Sequence, residues 1–243
     1  MSVAGEIAIV TGGAVRVGKA FALALAEWGA KVLVHYGSSQ QAAEETVELI
    51  QSRGGSAAVC QADLSHPAPA AEKLIACCHQ EFGPASILIN SAAIFKPARF
   101  ADTTDKLLKE TMAINFEAPF FLSQQFAKQL PASTEGNIVN IIDWRAEQID
   151  RKFLAYSLAK NSLLELTKAL ALELAPHVRV NAIAPGAILP PPDESHEYFQ
   201  EKAKEIPLKR TGSPAELVRA LQYLLEAPFV TGEVMHVTGG EHL

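Results

Sequence analysis

The chain has 243 residues and a mass of 26.1 kDa, enough for one domain of ordinary size. Apolar residues make up 49% and charged residues 20%, proportions that support a packed core and exclude an intrinsically disordered chain. With 21 basic against 27 acidic residues the net charge is −6, and with no basic run to hold a phosphate backbone, a nucleic-acid partner is not expected.

Short runs rich in Val, Ile and Ala alternate with longer stretches of helical spacing, the pattern of βα units that build a parallel sheet. A strand is predicted over residues 6–11, then a helix over 15–28 that Gly29 ends, because glycine adopts the left-handed cap conformation. Strand two is predicted over 31–35. A helix over 39–53 stops at Gly54-Gly55, and strand three follows over 57–61. A helix over 67–82 precedes Gly83-Pro84 and strand four over 87–90. Two helices, 104–115 and 119–129, lead into strand five over 137–142. The strongest helical pattern runs over 154–174, and strand six over 178–183 follows it. Residues 187–209 contain Pro190, Pro191 and Pro192 in succession and read as a mobile substrate-binding loop with one short helix. The last predicted elements are a helix over 214–225 and a seventh strand over 234–237.

Residues 1–243 therefore read as a single doubly wound α/β domain of Rossmann type, a seven-stranded parallel sheet flanked by helices, with ligands at the carboxyl ends of the strands. Cys60, Cys77 and Cys78 are too few and too poorly spaced for a disulfide framework or a zinc site, and read as reduced and packed. The seven histidines show no i, i+4 pairing, so no metal is expected. No basic segment precedes an apolar one near residue 1, and no apolar run reaches the roughly 18 residues of a membrane span, so a cytoplasmic location and no membrane association are expected.

Immediately after the first strand the sequence reads Thr11-Gly12-Gly13-Ala14-Val15-Arg16-Val17-Gly18 and continues as a helix. Small residues there let backbone amides approach a dinucleotide pyrophosphate, and the helix N-terminus favours its charge; the plainer reading is a bare strand-to-helix turn. Tyr156 and Lys160 lie four apart at the start of the strongest helix, on one face. An ammonium beside a phenol lowers the phenol pKa from about 10 and makes it a proton donor near neutrality, whereas an isolated pair with this spacing is ordinarily a surface feature.

Taken together, these motifs resemble the short-chain dehydrogenase/reductase family along the whole chain and in the family's order. The resemblance places the cofactor on Gly12, Arg16, Val17 and Gly18, puts Asp63-Leu64 against adenine, and matches Asn90-Ser91-Ala92-Ala93 to the family's Asn-Asn-Ala-Gly stretch. It makes Tyr156 and Lys160 the catalytic pair, gives Asn115 a water of the proton relay, and sets Pro185-Gly186 beside the nicotinamide. Two positions depart from the common pattern toward its pteridine reductase subgroup: Arg16 stands where glycine is usual, and Asp143 stands 13 residues before Tyr156, where serine is usual. The resemblance further assigns Phe95 to stack on a pterin, with Arg16, Asp143 and Tyr156 around it, and Trp144 reads as a further wall. Phe95 and Trp144 have the alternative of being core aromatics, and Asp143 that of a structural ion pair with Arg145, Lys160 or Arg16.

The end of strand two, His35-Tyr36-Gly37-Ser38-Ser39, carries no acid to repel a 2′-phosphate, and Ser38, Ser39 and Arg16 can hold one, so NADP(H) is the expected cofactor. Pro190 stands where the family often places a threonine four residues after the Pro-Gly glycine. The resemblance also implies a homotetramer, built through helices 119–129 and 154–174 and through the last strand and helix, while the face of Leu163, Leu164, Leu166 and Leu170 suits interface or core equally. The expectation is an NADPH-dependent pterin or dihydropterin reductase acting on a small molecule. The alternatives are a carbonyl or 3-oxoacyl thioester reductase of the same family and a non-catalytic NADP(H)-sensing regulator.

Overall fold

In a computed structural model of the chain, residues 3–190 and 196–243 are described, without the side chains of 196–198 and 200. Seven parallel strands form one sheet in the order β3-β2-β1-β4-β5-β6-β7. They are β1 Ile7–Val10, β2 Lys31–Tyr36, β3 Ser56–Gln61, β4 Ile87–Asn90, β5 Gly136–Ile141, β6 Val178–Pro185 and β7 Val234–Val237. The helices are α1 Arg16–Glu27, α2 Gln40–Ser52, α3 Pro67–Glu81, α4 Asp105–Met112, α5 Ala118–Gln129, α6 Leu154–Glu173, α7 His196–Glu205 and α8 Pro214–Glu226. The chain reverses its direction of strand addition between β1 and β4, so the crevice of this α/β sheet opens beyond the carboxyl ends of those strands.

Side chains alternate across each strand, which gives the two faces separate cores. Ala8, Val10, Ile87 and Ile89 pack with Phe21 and Leu25 of α1 and Leu217, Leu221 and Leu224 of α8. Ile9, Leu88 and Ile138 pack on the other face with Leu74 of α3 and Leu122 and Phe126 of α5. Each fully buried side chain of this size contributes about 1.5–3 kcal/mol over leaving it in water. Leu163, Leu164 and Leu166 belong to a third buried cluster with Ala182 and Ala184, and Leu170 packs on it, so that leucine face is core and not interface. No described helix is long and apolar enough to cross a membrane.

Two predicted boundaries move by more than one residue. Strand six runs to Pro185, because proline as the last strand residue ends its ladder without a missing central donor. The gap predicted between helices 104–115 and 119–129 is filled by a π-helical turn, Ala113–Glu117, and the backbone stays helical from α4 into α5. Pro119 lacks the N–H a continuous helix would use, and it follows directly on the wide π turn, where the Ala118 N–H reaches back to the Ala113 carbonyl. Of the 187–209 segment, α7 supplies the predicted helix; Pro191 and Pro192 lie outside the described residues.

Candidate active site

β1, β4, β5 and β6 all deliver their carboxyl ends to one edge of the sheet, and the residues singled out by sequence follow those ends. After β1, Gly12 takes φ +64, and a Cβ there would come 3.0 Å from Ala92 Cα. A Cβ on Gly18 would lie 2.2 Å from the Gly12 carbonyl oxygen, a clash of backbone with backbone that only glycine avoids. The turn is tied to β4 by Thr11, whose hydroxyl oxygen accepts from the amides of Ser91 at 2.9 Å and Ala92 at 3.0 Å. Asn90 reaches across to β5, donating to Asn140 at 2.8 Å, and its own carboxamide oxygen is buried with no partner among the described residues.

His35 corrects an expectation. Its ring is buried and both nitrogens are taken up within the protein: Nδ1 accepts the Gly12 N–H at 3.0 Å. Nε2 therefore carries the proton and donates to the Ala62 carbonyl at 3.1 Å. Burial lowers the ring's pKa, which keeps it neutral and fit to accept. His35 thus braces the glycine turn against β3. Leu64 is likewise packed in the core, so only its main chain can meet an adenine, while Asp63 is exposed and bonded to Ser65 and His66. Tyr36 is half-buried, and Ser38 and Ser39 are exposed at the start of α2.

The α1 entrance fits an anionic group. Val15 at its N-cap supplies no side-chain acceptor, so the first-turn amides have no capping side chain. Val17 is half-buried and Gly18 buried just inside. Arg16 sits in the left-handed region at φ +53, a conformation that costs a non-glycine residue about 1–2 kcal/mol. From there its exposed guanidinium donates to the Pro190 carbonyl at 2.9 Å, which joins the glycine turn to the connection after β6. Together with Ser38, Ser39 and the lack of an acid on that stretch, these donors fit a phosphorylated dinucleotide.

The proton-bearing groups meet where β5 faces α6. The Tyr156 hydroxyl donates to Asp143 Oδ2 at 3.1 Å. Asp143 caps the short turn Trp144–Ala146, its Oδ1 accepting from the Arg145 amide at 2.9 Å and the Arg145 guanidinium at 3.3 Å. Asp143 is at once ion-paired with Arg145 and bonded to the phenol. Arg16 is engaged elsewhere, and Lys160 donates to the Ile141 carbonyl at 2.7 Å, its nitrogen 5.8 Å from the Tyr156 ring centre. Burial raises the Asp143 pKa, opposed by Arg145. Burial and then the Asp143 carboxylate push the Tyr156 pKa well above that of an ordinary phenol. In this arrangement the phenol pKa is thus raised, by burial and by the Asp143 carboxylate, where the sequence leads us to expect Lys160 to lower it.

Asn115 lies buried in the π-helical turn. Its carboxamide is taken up by Ile94, accepting from the Ile94 amide and donating to the Ile94 carbonyl, each at 3.1 Å. A relay water at this position would have to be held by the main chain. Phe95, 40% exposed, stacks on Phe153 with ring centres 4.0 Å apart, meets Tyr156 edge-on at 4.7 Å and has the Arg145 guanidinium 5.7 Å from its ring centre. Trp144 lies under the Arg145 guanidinium at 4.6 Å, and its buried indole N–H has no partner among the described residues. Phe153 was not identified from sequence, and Arg145 only as one of three possible ion-pair partners of Asp143, the pair the structure contains.

Pro185 and Gly186 end β6 beside the turn that follows β7. The Gly186 amide donates to the Val237 carbonyl at 3.0 Å, and a Cβ on Gly186 would sit 2.7 Å from Glu241 Oε2. Glu241 accepts from the Ala187 amide at 3.0 Å and pairs with Lys202 of α7 at 3.2 Å. This pair holds the connection that lacks the family threonine.

Burial pushes the Lys160 pKa down to about 8 from 10.5. Between those values the unfolded chain binds a proton that the folded chain has released, so stability rises with pH. Raising the pH from 8 to 10 should therefore stabilise the wild type relative to Lys160→Met by about 2 kcal/mol in denaturant titrations. A difference independent of pH would show that the ammonium is not held in a dry site.

A family model described as "Enoyl-(Acyl carrier protein) reductase" matches residues 13–242. The chain is 34% identical to FolM alternative dihydrofolate reductase 1 from Brucella canis, crystallised as a complex with NADP; the superposition covers 99% of this chain and 95% of that one, with a TM-score of 0.95. It is 32% identical to a 3-oxoacyl-[acyl-carrier-protein] reductase from Synechocystis over 97% of this chain and 96% of the relative. A short-chain type dehydrogenase/reductase from Picea abies is 30% identical over 98% of this chain and 92% of its own length. Matches that run end to end, on a sheet of this order, leave one assignment: the chain belongs to the short-chain dehydrogenase/reductase family.

Proposed function

We propose that the protein reduces a C=N bond of a pterin or dihydropterin with NADPH. The observation that carries this reading is the 3.1 Å hydrogen bond from Tyr156 to Asp143, which puts an acid where a hydroxyl would serve carbonyl reduction. A ring nitrogen that gains a proton draws it from the phenol, and a buried acid of raised pKa can replace it. The likeness to an alternative dihydrofolate reductase complexed with NADP supports both substrate class and cofactor.

When bound, NADPH supplies a hydride to the ring carbon. Arg16, Val17 and the amides around Gly12 and Gly18 hold its phosphates, Tyr36, Ser38 and Ser39 its adenosine 2′-phosphate, and Asp63, Leu64, Asn90, Ser91 and Ala92 the adenosine side. Lys160 and Tyr156 take the nicotinamide ribose, and Pro185-Gly186 border the nicotinamide. Tyr156 releases its hydroxyl proton to the ring nitrogen, and Asp143 returns one to the phenolate oxygen. Phe95 covers a pterin face, with Trp144 and Arg16 at the margins. The 187–209 segment borders the substrate within the one catalytic domain. Phe120, Leu158 and Leu172 point outward from α5 and α6, which suits the tetramer that the family resemblance implies.

A second reading, reduction of a 3-oxoacyl thioester or other carbonyl, is favoured by the Synechocystis relative and needs only Tyr156 and Lys160. Initial rates with NADPH and dihydrobiopterin, dihydrofolate or an acetoacetyl thioester separate the two. The expected result is a kcat/KM for a pterin substrate roughly 100-fold above that for the thioester. The opposite order would assign the second reading, and tight NADPH binding without oxidation on any substrate would assign a sensor.

A further inference from the structure

The site contains a buried cation that neither the phenol–ammonium pair nor the acid accounts for. Arg145 lies two residues beyond Asp143, and its side chain is 19% exposed against 15% for Asp143. It is held on three sides. Nη1 donates to Asp143 Oδ1 at 3.3 Å, Nε donates to Asp150 Oδ2 at 3.2 Å, and Trp144 covers the guanidinium plane at 4.6 Å. Asp150 is itself anchored, its other oxygen accepting from the Lys152 amide at 2.8 Å and its own amide donating to the Ser157 hydroxyl at 3.4 Å, on the first turn of α6. The arginine is thus a strut from α6 to the carboxylate that α6 must meet through Tyr156.

Geometry gives the strut a direction. The Arg145 amide and guanidinium meet Oδ1 at 2.9 and 3.3 Å, whereas at Oδ2 the guanidinium stands off at 3.5 Å and the Tyr156 hydroxyl is the nearer donor at 3.1 Å. The charged and titratable groups around Asp143 are Arg145 and Asp150 from the β5–α6 connection and Tyr156 and Lys160 from α6. Of the two cations, Lys160 is committed to the Ile141 carbonyl and, with its pKa near 8, carries a charge that falls away in mild alkali. A guanidinium keeps its charge throughout.

We propose that Arg145 is a positioning residue of the proton-delivery site: braced by Asp150, it turns one carboxylate oxygen of Asp143 toward the Tyr156 hydroxyl and supplies the permanent positive charge beside that pair. The inference rests on the reading that Tyr156 and Asp143 deliver the proton. Removing the guanidinium leaves a less well aimed acid and raises the pH at which the pair loses its proton, because an anion without its cation is harder to form.

The test is the pH dependence of kcat, with the better of the pterin and carbonyl substrates, for wild type, Arg145→Gln, Arg145→Lys, Asp150→Asn, Asp143→Ser and the Arg145→Gln/Asp143→Ser double variant. Arg145→Gln should lower kcat at pH 7 by roughly 10-fold and move the alkaline limb up by roughly one pH unit, with NADPH binding within about two-fold of wild type. Arg145→Lys should restore the limb but only part of kcat, since an ammonium keeps the charge and loses the fork. Asp150→Asn, at a more exposed position, should lower kcat without raising the limb, and it carries the test if Arg145→Gln does not fold. In the Asp143→Ser background Arg145→Gln should add little. An unmoved limb, or an equal loss in that background, overturns the proposal while the proton-delivery reading stands; an Asp143→Ser enzyme indistinguishable from wild type overturns both.

Discussion

Tyr156→Phe should lower kcat by about 1,000-fold while leaving the NADPH dissociation constant within about two-fold of wild type. The substitution is close to isosteric. The ring is buried and keeps its edge contact with Phe95 at 4.7 Å and its place on α6, so only the hydroxyl and its bond to Asp143 are lost. General acid catalysis supplies about 10²–10⁴-fold, and no other O–H donor shares the Asp143 oxygen that faces the phenol among the described residues. Single-turnover oxidation of NADPH, followed at 340 nm with saturating substrate, isolates the chemical step. A residual rate within 10-fold of wild type would mean that the proton comes from solvent or from Asp143 directly.

Asp143→Ser should separate the two chemistries. Serine restores a neutral hydroxyl of the kind carbonyl reduction uses, so turnover of an acetoacetyl thioester should hold steady or rise, while pterin turnover falls by about 100-fold. The loss should appear in kcat and not in KM, because the acid acts through the phenol and not on the bound ring. The variant also leaves the Arg145 guanidinium with Asp150 as its remaining partner, so a lower melting temperature is expected and should be recorded alongside the kinetics. If pterin turnover is untouched, Asp143 serves only the ion pair.

Most of the architecture was legible because its signals are local. Alternation in the strand runs, helical spacing between them and Gly29 at φ +92 after α1 each express chemistry that neighbours in sequence impose. The π turn was not legible, since hydrophobic spacing says nothing about which carbonyl an amide chooses, and the two predicted helices are joined through it up to Pro119. At the site, sequence placed the right residue types on the right strand ends but could not aim them. His35 reads as a nucleotide contact until Gly12 and Ala62, 23 and 27 residues away, are seen to occupy both ring nitrogens. Lys160 reads as the partner of Tyr156 until the Ile141 carbonyl claims it. Arg145 reads only as one of three candidate partners of Asp143, because its meaning depends on Asp150 and on a carboxylate folded back over its own turn.

The stretch that follows β7 bears on how this enzyme could be redesigned. Gly239 and Gly240, at φ +66 and +91, bring their backbone so close that a methyl on either would strike Ile206 or Pro207, just past α7, at 2.9 Å. Glu241 meanwhile grips Ala187 and Lys202. The connection between β6 and α8 is therefore moulded by residues 33 to 54 positions downstream, and a transplant confined to it would arrive without its mould. Libraries that vary the two stretches together, donor loop with donor tail, respect the way the molecule is wired.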